Sequence, residues 1–308
     1  MWLVGTGGNI IMQRTITISE ICEALKLKYR GENQSINGLN LCNRNSVHKC
    51  VLTYVTSGSY VDVVKKNPAV VGIILQERDY EIYATLCQGR KISFIIADAP
   101  EKVFYDIHDY LYYRTDFYDK FDCAARIGEQ CDIHPTAIIE NGVTIGKNVV
   151  IGSNSVIRKG TIIGNDCVIG CNTTIGSEGF QIIKCDGKNR KIVHVGGLSI
   201  GDGVGVGDNV TICNSLFEDT SRIGKRVMID NNSYIGHNVT IGDDAVITSS
   251  VVLCGSTTIE AGAWIGVNSS VLNRVVVGCD AKVGIGSVVT RNIPQGNLAY
   301  GVPARVKS

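Results

Sequence analysis

Several features that would assign this sequence quickly to a known class of protein are scarce or absent. Its 30 Lys and Arg residues are balanced by 29 Asp and Glu residues along 308 positions, which argues against a basic nucleic-acid binder. No apolar run approaches the ~20 residues that a bilayer-spanning helix needs. Proline occurs only five times against 35 glycines, without a collagen period, so glycine must supply many tight turns.

Twelve cysteines suggest a disulfide framework until their positions are considered, because no CxxC pair occurs. Several of them fall where a repeat requires a small buried residue. We therefore interpret them as free thiols and expect a cytoplasmic protein. Residues 1–14 have neither the length nor the cleavage site of a signal peptide, and we interpret them as an N-terminal arm or a cloning remnant ahead of Met12.

One period organises most of the chain. Aliphatic residues recur every six positions over 127–175 and 200–212, and after one short step the period runs from Phe217 to Val289. A helix repeats every 3.6 residues and a flat strand every two, so a period of six requires short strands joined by corners. Three such strands close a coil of 18 residues. Coils stacked about 4.8 Å apart predict a parallel β-helix of roughly eight coils.

The segment before the repeats has a different pattern. Residues 15–115 combine helical periodicity with short apolar runs, which predicts a small α/β domain. Ser19 is the expected cap of its first helix. The remaining predictions are buried strands at 51–56, 69–75 and 92–97 and a helix at 100–113.

The repeats predict a β-helix domain over residues 116–295, followed by a tail at 296–308. Charged and glycine residues interrupt the period at 177–198, so this excursion is expected to leave the wall of the coil as a loop. Long loops on a rigid scaffold are more often functional than structural.

Five segments are more specific than the six-residue period. Together they resemble the UDP-3-O-acylglucosamine N-acyltransferases of lipid A synthesis, and the likeness covers nearly the whole chain. The resemblance implies a left-handed coil, a homotrimer, and transfer of an acyl group from a thioester to the amino group of a nucleotide-linked amino sugar. The segments are LTYVTSGSY at 52–60, IHPTA at 133–137, IGSEGF at 175–180, KIVHVG at 191–196 and IDNNSYIGHNV at 229–239.

For the acceptor, the resemblance implies that Tyr54 and Tyr60 hold a uracil between their rings. Stacking on flat rings suits a planar base. Ser57 stands where the family commonly has Asn, and ordinary packing remains the alternative for both tyrosines. Phe180 and His194 are candidate acceptor contacts in the excursion, with solvent exposure as the alternative for His194.

Amide formation from a thioester needs a base for the amine proton and a donor for the developing oxyanion. The catalytic histidine of the family falls on His237. A coil of 18 residues predicts Asp219 one coil below, where it would orient the imidazole, and Gly255 one coil above, where its N–H would meet the oxyanion. The short step near position 217 leaves Glu218 and Asp230 as competing orienters.

The residues expected near the acyl donor differ from the family pattern. Its second histidine, near the pantetheine, corresponds to Arg274, which follows Asn273. The final segment, 300–308, resembles hexapeptide transferases that use coenzyme A, in which Arg305 and Lys307 would meet phosphates. We therefore expect a short-chain acyl-CoA as donor co-substrate, with an acyl carrier protein as second choice, and neither a permanently bound cofactor nor a metal.

Three other functions share features of this sequence. Sugar O-acetylation is the nearest, because the same base would serve a hydroxyl. A γ-type carbonic anhydrase needs three histidines that converge on zinc, and the five scattered histidines offer no such trio. A non-catalytic β-helix scaffold is the third. We predict that His134 is structural.

Overall fold

A computed structural model describes residues 14–44, 46–217 and 219–307. Nearly all of the predicted arm, residues 1–13, and the candidate orienter Glu218 lie outside the described residues. The described residues up to Lys120, together with Ile183–Ile192, form one compact unit. Phe121–Ile182 and the residues from Val193 onwards form a second unit. In the described ranges, no helix combines the length and apolarity that crossing a membrane requires.

The first unit contains a five-stranded sheet in which four neighbouring strands are parallel and one edge strand is antiparallel. Its central strand, Val70–Leu75, has no polar side chain, since a parallel strand buried on both faces needs no alternation. A short antiparallel pair, Ile16–Thr17 with Ser35–Ile36, lies apart from it. The strands of the main sheet, in spatial order, are Lys28–Gly31, Ser93–Ile96, Val70–Leu75, Val51–Tyr54 and Gly38–Leu39.

The helices of this unit are α1 (Ile18–Leu25), α2 (Val61–Lys66), α3 (Tyr80–Leu86) and α4 (Pro100–Arg114), with 3₁₀ turns at Gly58–Tyr60 and Glu77–Asp79. The prediction that Ser19 caps the first helix is wrong. Thr17 is the cap, because its side chain accepts the N–H of Glu20 while the Glu20 carboxylate accepts the N–H of Thr17. This reciprocal pair satisfies two N–H groups that a single cap at Ser19 would leave open.

The second unit is a parallel β-helix with three sheets. Sheet I contains Arg126–Ile127, Thr144–Ile145, Thr161–Ile163, Gly197–Ile200, Thr220–Ile223, Thr240–Ile241, Thr258–Ile259 and Val276–Val277. Sheet II contains Asp132–Ile133, Val150–Ile151, Val168–Ile169, Gly205–Val206, Met228–Ile229, Val246–Ile247, Trp264–Ile265, Lys282–Val283, Leu298–Gly301 and Ala304–Val306. Sheet III contains Ile138–Ile139, Val156–Ile157, Thr174–Ser177, Thr211–Cys213, Tyr234–Ile235, Val252–Leu253, Ser270–Val271 and Val288–Val289.

The aliphatic residue of each repeat points into the coil and stacks on its counterparts in one continuous apolar core. Burying each Ile or Val contributes roughly 1.5–3 kcal/mol. The glycine that often follows has a steric cause at Gly146, where an added Cβ would lie 2.7 Å from the carbonyl carbon of Gly164. Asn and Asp recur at corners in the left-handed region, as at Asn232 (φ 59°) and Asn238 (φ 57°).

Two insertions interrupt the period of 18. The paired residues Ile212 and Ile235 are 23 positions apart, because five additional residues join the strands Thr211–Cys213 and Thr220–Ile223. We call this connection, residues 214–219, the inserted connection. Phe217 lies in it and not in a wall strand, so the prediction that Phe217 begins a new run of inward residues is wrong.

The larger insertion is the excursion at 177–198. It was predicted as a loop, but it forms an antiparallel hairpin of Ile182–Cys185 and Lys188–Lys191. Asp186 (φ 49°) and Gly187 (φ 76°) form its two-residue turn, and positive φ at both positions matches the twist of the strands. Within the first unit, the hairpin is tied to α4 by contacts of Arg190 with Asp106 and Asp109 at 2.5 and 2.7 Å.

Candidate active site

His237 lies at the corner that follows Tyr234–Ile235 in sheet III. Ile235 pairs with Leu253, so Gly255 occupies the equivalent position in the next coil, where the sequence placed it. A Cβ added to Gly255 would lie 2.5 Å from Nε2 of His237. The imidazole therefore lies against the bare backbone of this glycine.

In the preceding coil, the residue predicted to stack below His237 is wrong. Ile235 pairs with Ile212, so the residue below His237 is Asn214 and not Asp219. The five additional residues move Asp219 away from the position below His237. Its carboxylate instead accepts the N–H of Thr220 at 2.8 Å. The competing orienter Asp230 follows Ile229 in sheet II and therefore belongs to a different corner.

The side chain that bonds to the ring is its neighbour in sequence. Nδ1 of His237 lies 2.9 Å from Oδ1 of Asn238. The same oxygen accepts the backbone N–H of Leu216 at 3.1 Å, and the amide nitrogen of Asn238 donates to Oγ of Ser215. The N–H of Asn238 donates to Oγ of Ser221 at 2.9 Å. The inserted connection is thus bonded directly to the corner that carries His237.

Both ends of the excursion pack on the same ring. His194 meets His237 edge to face, with ring centroids 5.3 Å apart and an interplanar angle of 71°. His194 is only 5% exposed, so the alternative of solvent exposure is wrong. A Cβ added to Gly179 would lie 2.5 Å from Nε2 of His194 and 2.7 Å from Cβ of His237. Phe180, next to Gly179, has 75% of its surface exposed and is available for contact.

The backbone N–H of Gly255 has no acceptor within the part of the chain that the structure describes. At several other corners the equivalent N–H is capped by an Asn or Asp of the next coil: Lys147 donates to Oδ1 of Asn165 at 2.9 Å, and Lys225 donates to Asp243 at 2.8 Å. At the corner of Ala261, by contrast, the equivalent N–H also has no acceptor among the described residues. The N–H beside His237 is therefore an available donor.

The residues predicted to bind the acyl donor lie in two places. Leu253 pairs with Val271, so Asn273 stands one coil above Gly255, and the N–H of Arg274 donates to the Gly255 carbonyl at 3.2 Å. Both side chains are exposed at the corner of His237. Arg305 and Lys307 instead lie in and just after the terminal hairpin of sheet II.

The candidate uracil residues lie in the first unit. The Tyr54 ring packs 5.0 Å from Phe104, its hydroxyl donates to Glu101 at 3.0 Å, and burial raises its pKa well above the ordinary value. Tyr60 is partly exposed at the end of a 3₁₀ turn. The Ser57 hydroxyl caps that turn and lies 2.6 Å from the hydroxyl of Ser59, so local structure already engages it.

Sequence reasoning missed Asn238, Gly179 and the residues of the inserted connection. Asn238 carried a signal, because Asn immediately after the candidate base, at a corner position, is a side chain that tolerates the left-handed region. Asn214 is buried, and its side-chain oxygen has no hydrogen-bond partner among the described residues. Nothing in the period of six identifies these contacts.

Comparisons with known proteins define the class of fold. A model of bacterial transferase hexapeptide repeats matches residues 124–159, 142–177 and 220–255. A model of the hexapeptide repeat of succinyl-transferases matches residues 256–291. The second unit is a left-handed hexapeptide β-helix, as the sequence predicted.

Curated relatives indicate which kind of hexapeptide transferase this chain resembles. A UDP-3-O-acylglucosamine N-acyltransferase of Methylorubrum extorquens is 34% identical over 131 residues, which cover 42% of this chain and 37% of that protein. UDP-3-O-acylglucosamine N-acyltransferase 2 of Rhodopseudomonas palustris is 38% identical over 133 residues, 43% of this chain and 35% of that protein. The predicted resemblance is confirmed over 42–43% of this chain, and the match spans only about a third of the length of these relatives.

Two solved structures share the fold. The UDP-N-acetylglucosamine acyltransferase of Bacteroides fragilis has a TM-score of 0.54 and 25% identity, over 61% of this chain and 73% of that chain. The UDP-N-acetylglucosamine acyltransferase of Campylobacter jejuni has a TM-score of 0.51 and 21% identity, over 60% of this chain and 70% of that chain. The second likeness supports the fold alone.

Proposed function

We propose that this chain is an acyltransferase that moves an acyl group from a thioester to the amino group of a nucleotide-linked amino sugar, with His237 as general base. The observation that carries the proposal is the corner at which the imidazole of His237 lies against Gly255, whose N–H has no acceptor among the described residues. The names of the curated relatives supply the substrate class.

In this mechanism the amine attacks the thioester carbonyl while Nε2 of His237 takes its proton. The negative charge that develops on the carbonyl oxygen is met by the N–H of Gly255, a contribution worth about 3–4 kcal/mol where such donors have been removed. The C–S bond then breaks. The imidazolium returns its proton to the departing thiolate, so the base is regenerated.

The substrates are assigned to groups around this corner and in the first unit. Phe180 and His194 are proposed to contact the acceptor sugar. Within the first unit, Tyr54, Ser57 and Tyr60 are proposed to bind a uracil base. For the donor, Asn273 and Arg274 stand at the His237 corner, and Arg305 and Lys307 would meet phosphates of coenzyme A. Arginine and lysine suit an acyl-CoA, and an acyl carrier protein remains the second donor to test.

We also propose a cytoplasmic homotrimer. All twelve cysteines are free thiols, which suits a reducing compartment. The outer face of sheet II presents consecutive apolar side chains, and exposed apolar patches of this kind mark protein contacts. Those that are substantially exposed include Val150, Val168, Met228 and Trp264.

The test is a panel of UDP- and dTDP-linked amino sugars and their hydroxyl counterparts, each with acetyl-CoA and with hydroxyacyl thioesters of CoA and carrier protein. His237→Ala should abolish turnover without unfolding the protein. The matched control is His134→Ala, since His134 lies at another corner and bonds to its neighbour Thr136. Full activity in His237→Ala would refute the mechanism. Acylation of the hydroxyl acceptors alone would establish O-acylation instead.

A further inference from the structure

We infer that Asn238 is a positioning residue that fixes the tautomer of His237 through an uncharged relay, Leu216 N–H to Asn238 Oδ1 to His237 Nδ1. The inference deepens the proposed function and rests on it only for its effect on rate. The juxtaposition that carries it is the single amide oxygen shared by a backbone N–H at 3.1 Å and an imidazole nitrogen at 2.9 Å.

The orientation of the amide follows from its partners. The backbone N–H of Leu216 can only donate, so the atom 3.1 Å from it must be the acceptor of the Asn238 side chain, its oxygen. The other end of the amide is then the NH₂ group, which donates to Oγ of Ser215. The hydrogen-bond network itself therefore selects one of the two amide orientations.

The tautomer follows from the amide. An amide oxygen accepts and cannot donate, so the hydrogen bond requires a proton on Nδ1 of His237. In a neutral imidazole with Nδ1 protonated, the lone pair is on Nε2. Nε2 is the nitrogen that lies against Gly255. The relay thus places the basic nitrogen against Gly255, the residue whose N–H is the proposed oxyanion donor.

Asn238 is itself held in place. It adopts the left-handed region with φ of 57°, which Asn tolerates better than most residues, and its N–H is bonded to Ser221. Leu216 and Ser215 come from the inserted connection. The inserted connection, which moves Asp219 away from His237, therefore also supplies the groups that orient Asn238.

The orienting group on Nδ1 is neutral, and this has a chemical consequence. A carboxylate beside Nδ1 would stabilise the imidazolium and raise the pKa of the ring. An amide holds the tautomer without adding a negative charge. Replacing Asn238 by Asp should therefore move the acid limb of the kcat/KM profile to higher pH, whereas a purely structural residue would not do so.

The experiment compares three variants of the full chain. Asn238→Ala should lower kcat about 10–100-fold with little change in KM, as expected for loss of a group that orients a functional histidine. Asn238→Asp should retain more activity than Asn238→Ala and shift the acid limb upward. Asn232→Ala is the control, because Asn232 has the same left-handed φ of 59° at another corner and should keep both kcat and the pH profile.

The charged and titratable side chains on the segments around the ring are the same in all three variants, so their effects cancel in the comparison. They are His194 and Glu178 at the ends of the excursion, Asp219 in the inserted connection, Cys213 and Tyr234 in sheet III, Cys254 in the next coil, and Arg274 two coils above His237.

A readout without turnover separates this inference from the proposed function. ¹⁵N NMR of the wild type at neutral pH should show the His237 ring protonated at Nδ1, and Asn238→Ala should lose that preference. A ring protonated at Nε2, or a pH profile of Asn238→Asp identical to wild type, would overturn the inference even if the chain proves to be an acyltransferase. If the wild type shows no transferase activity but has the Nδ1 proton, only the proposed function fails.

Discussion

Gly255→Ala tests the geometry of the site most directly, because it adds one methyl group and keeps the backbone N–H. The new Cβ would lie 2.5, 2.7 and 3.0 Å from Nε2, Cε1 and Cδ2 of His237. Non-bonded heavy atoms settle at about 3.5 Å or more, so the ring edge must move by roughly 1 Å. Moving a catalytic group by about 1 Å can cost on the order of 10²-fold in rate, or about 2.7 kcal/mol of transition-state stabilisation.

The loss should appear in activity far more than in folding. His237 is partly exposed, so its ring can move outward. We expect thermal stability to fall by no more than the lower end of the ~1–3 kcal/mol typical of overpacking. Steady-state kcat with the substrate identified in the panel, thermal unfolding, and the NMR shifts of the His237 ring measure the three effects. Activity within about threefold of wild type, with the ring signals unmoved, would refute the placement of His237 against Gly255.

Gly205→Ala is the matched control. Its added Cβ would meet Sδ of Met228 at 2.8 Å, a similar overlap. Met228 belongs to the proposed trimer contact on the outer face of sheet II, but its flexible side chain can move away from the new methyl group. Light scattering of this variant checks that its mass equals that of the wild type. We expect normal kcat in this variant. A loss as large as that of Gly255→Ala would mean that any extra methyl group disturbs the coil.

Two further predictions concern assembly and stability. Trp264→Lys, on the apolar outer face of sheet II, should shift the proposed trimer toward monomer in light scattering. The control, Thr258→Lys on the outer face of sheet I, should leave the mass unchanged. An unaltered mass for Trp264→Lys would place the trimer contact on another face. The N–H of Asn165 and then Lys225 lower the pKa of Asp202 below its ordinary 3.8. A depressed pKa stabilises the fold above the ordinary value, and this contribution is lost as pH falls through the folded-state pKa. Asp202→Ala should therefore lower Tm at pH 7 and match wild type in strong acid; an equal deficit at both pH values would contradict the charge argument.

The period of six predicted the fold because each inward position is fixed by burial. A slip of one residue would turn an Ile of the core toward solvent, so the register is strongly specified wherever the period is unbroken. That is why Gly255 could be placed beside His237, one uninterrupted coil away. The same reasoning failed for Asp219, because the inserted connection intervenes and a count of 18 residues passes through it without detecting the change.

Local hydrogen bonds were harder to predict than the register. Thr17 and Ser19 are both good caps, and only the position of Glu20 relative to the turn decides between them. The charged residues of the excursion favour a loop in sequence and mask the turn at Asp186 and Gly187. The contact of His194 with His237 depends on where both ends of that excursion return, which composition does not encode.

The inserted connection shows how an irregular segment changes the chemistry of a regular scaffold. An unbroken coil would place residue 219, an Asp, below His237, and a carboxylate there would favour the charged ring. With five more residues, Asn214 takes that place, and Leu216 and Ser215 come within bonding distance of Asn238. The insertion thereby brings a neutral amide, held by a backbone N–H, to Nδ1 of His237. An amide oxygen on Nδ1 requires the proton there, so the lone pair that can accept a proton from an amine lies on Nε2.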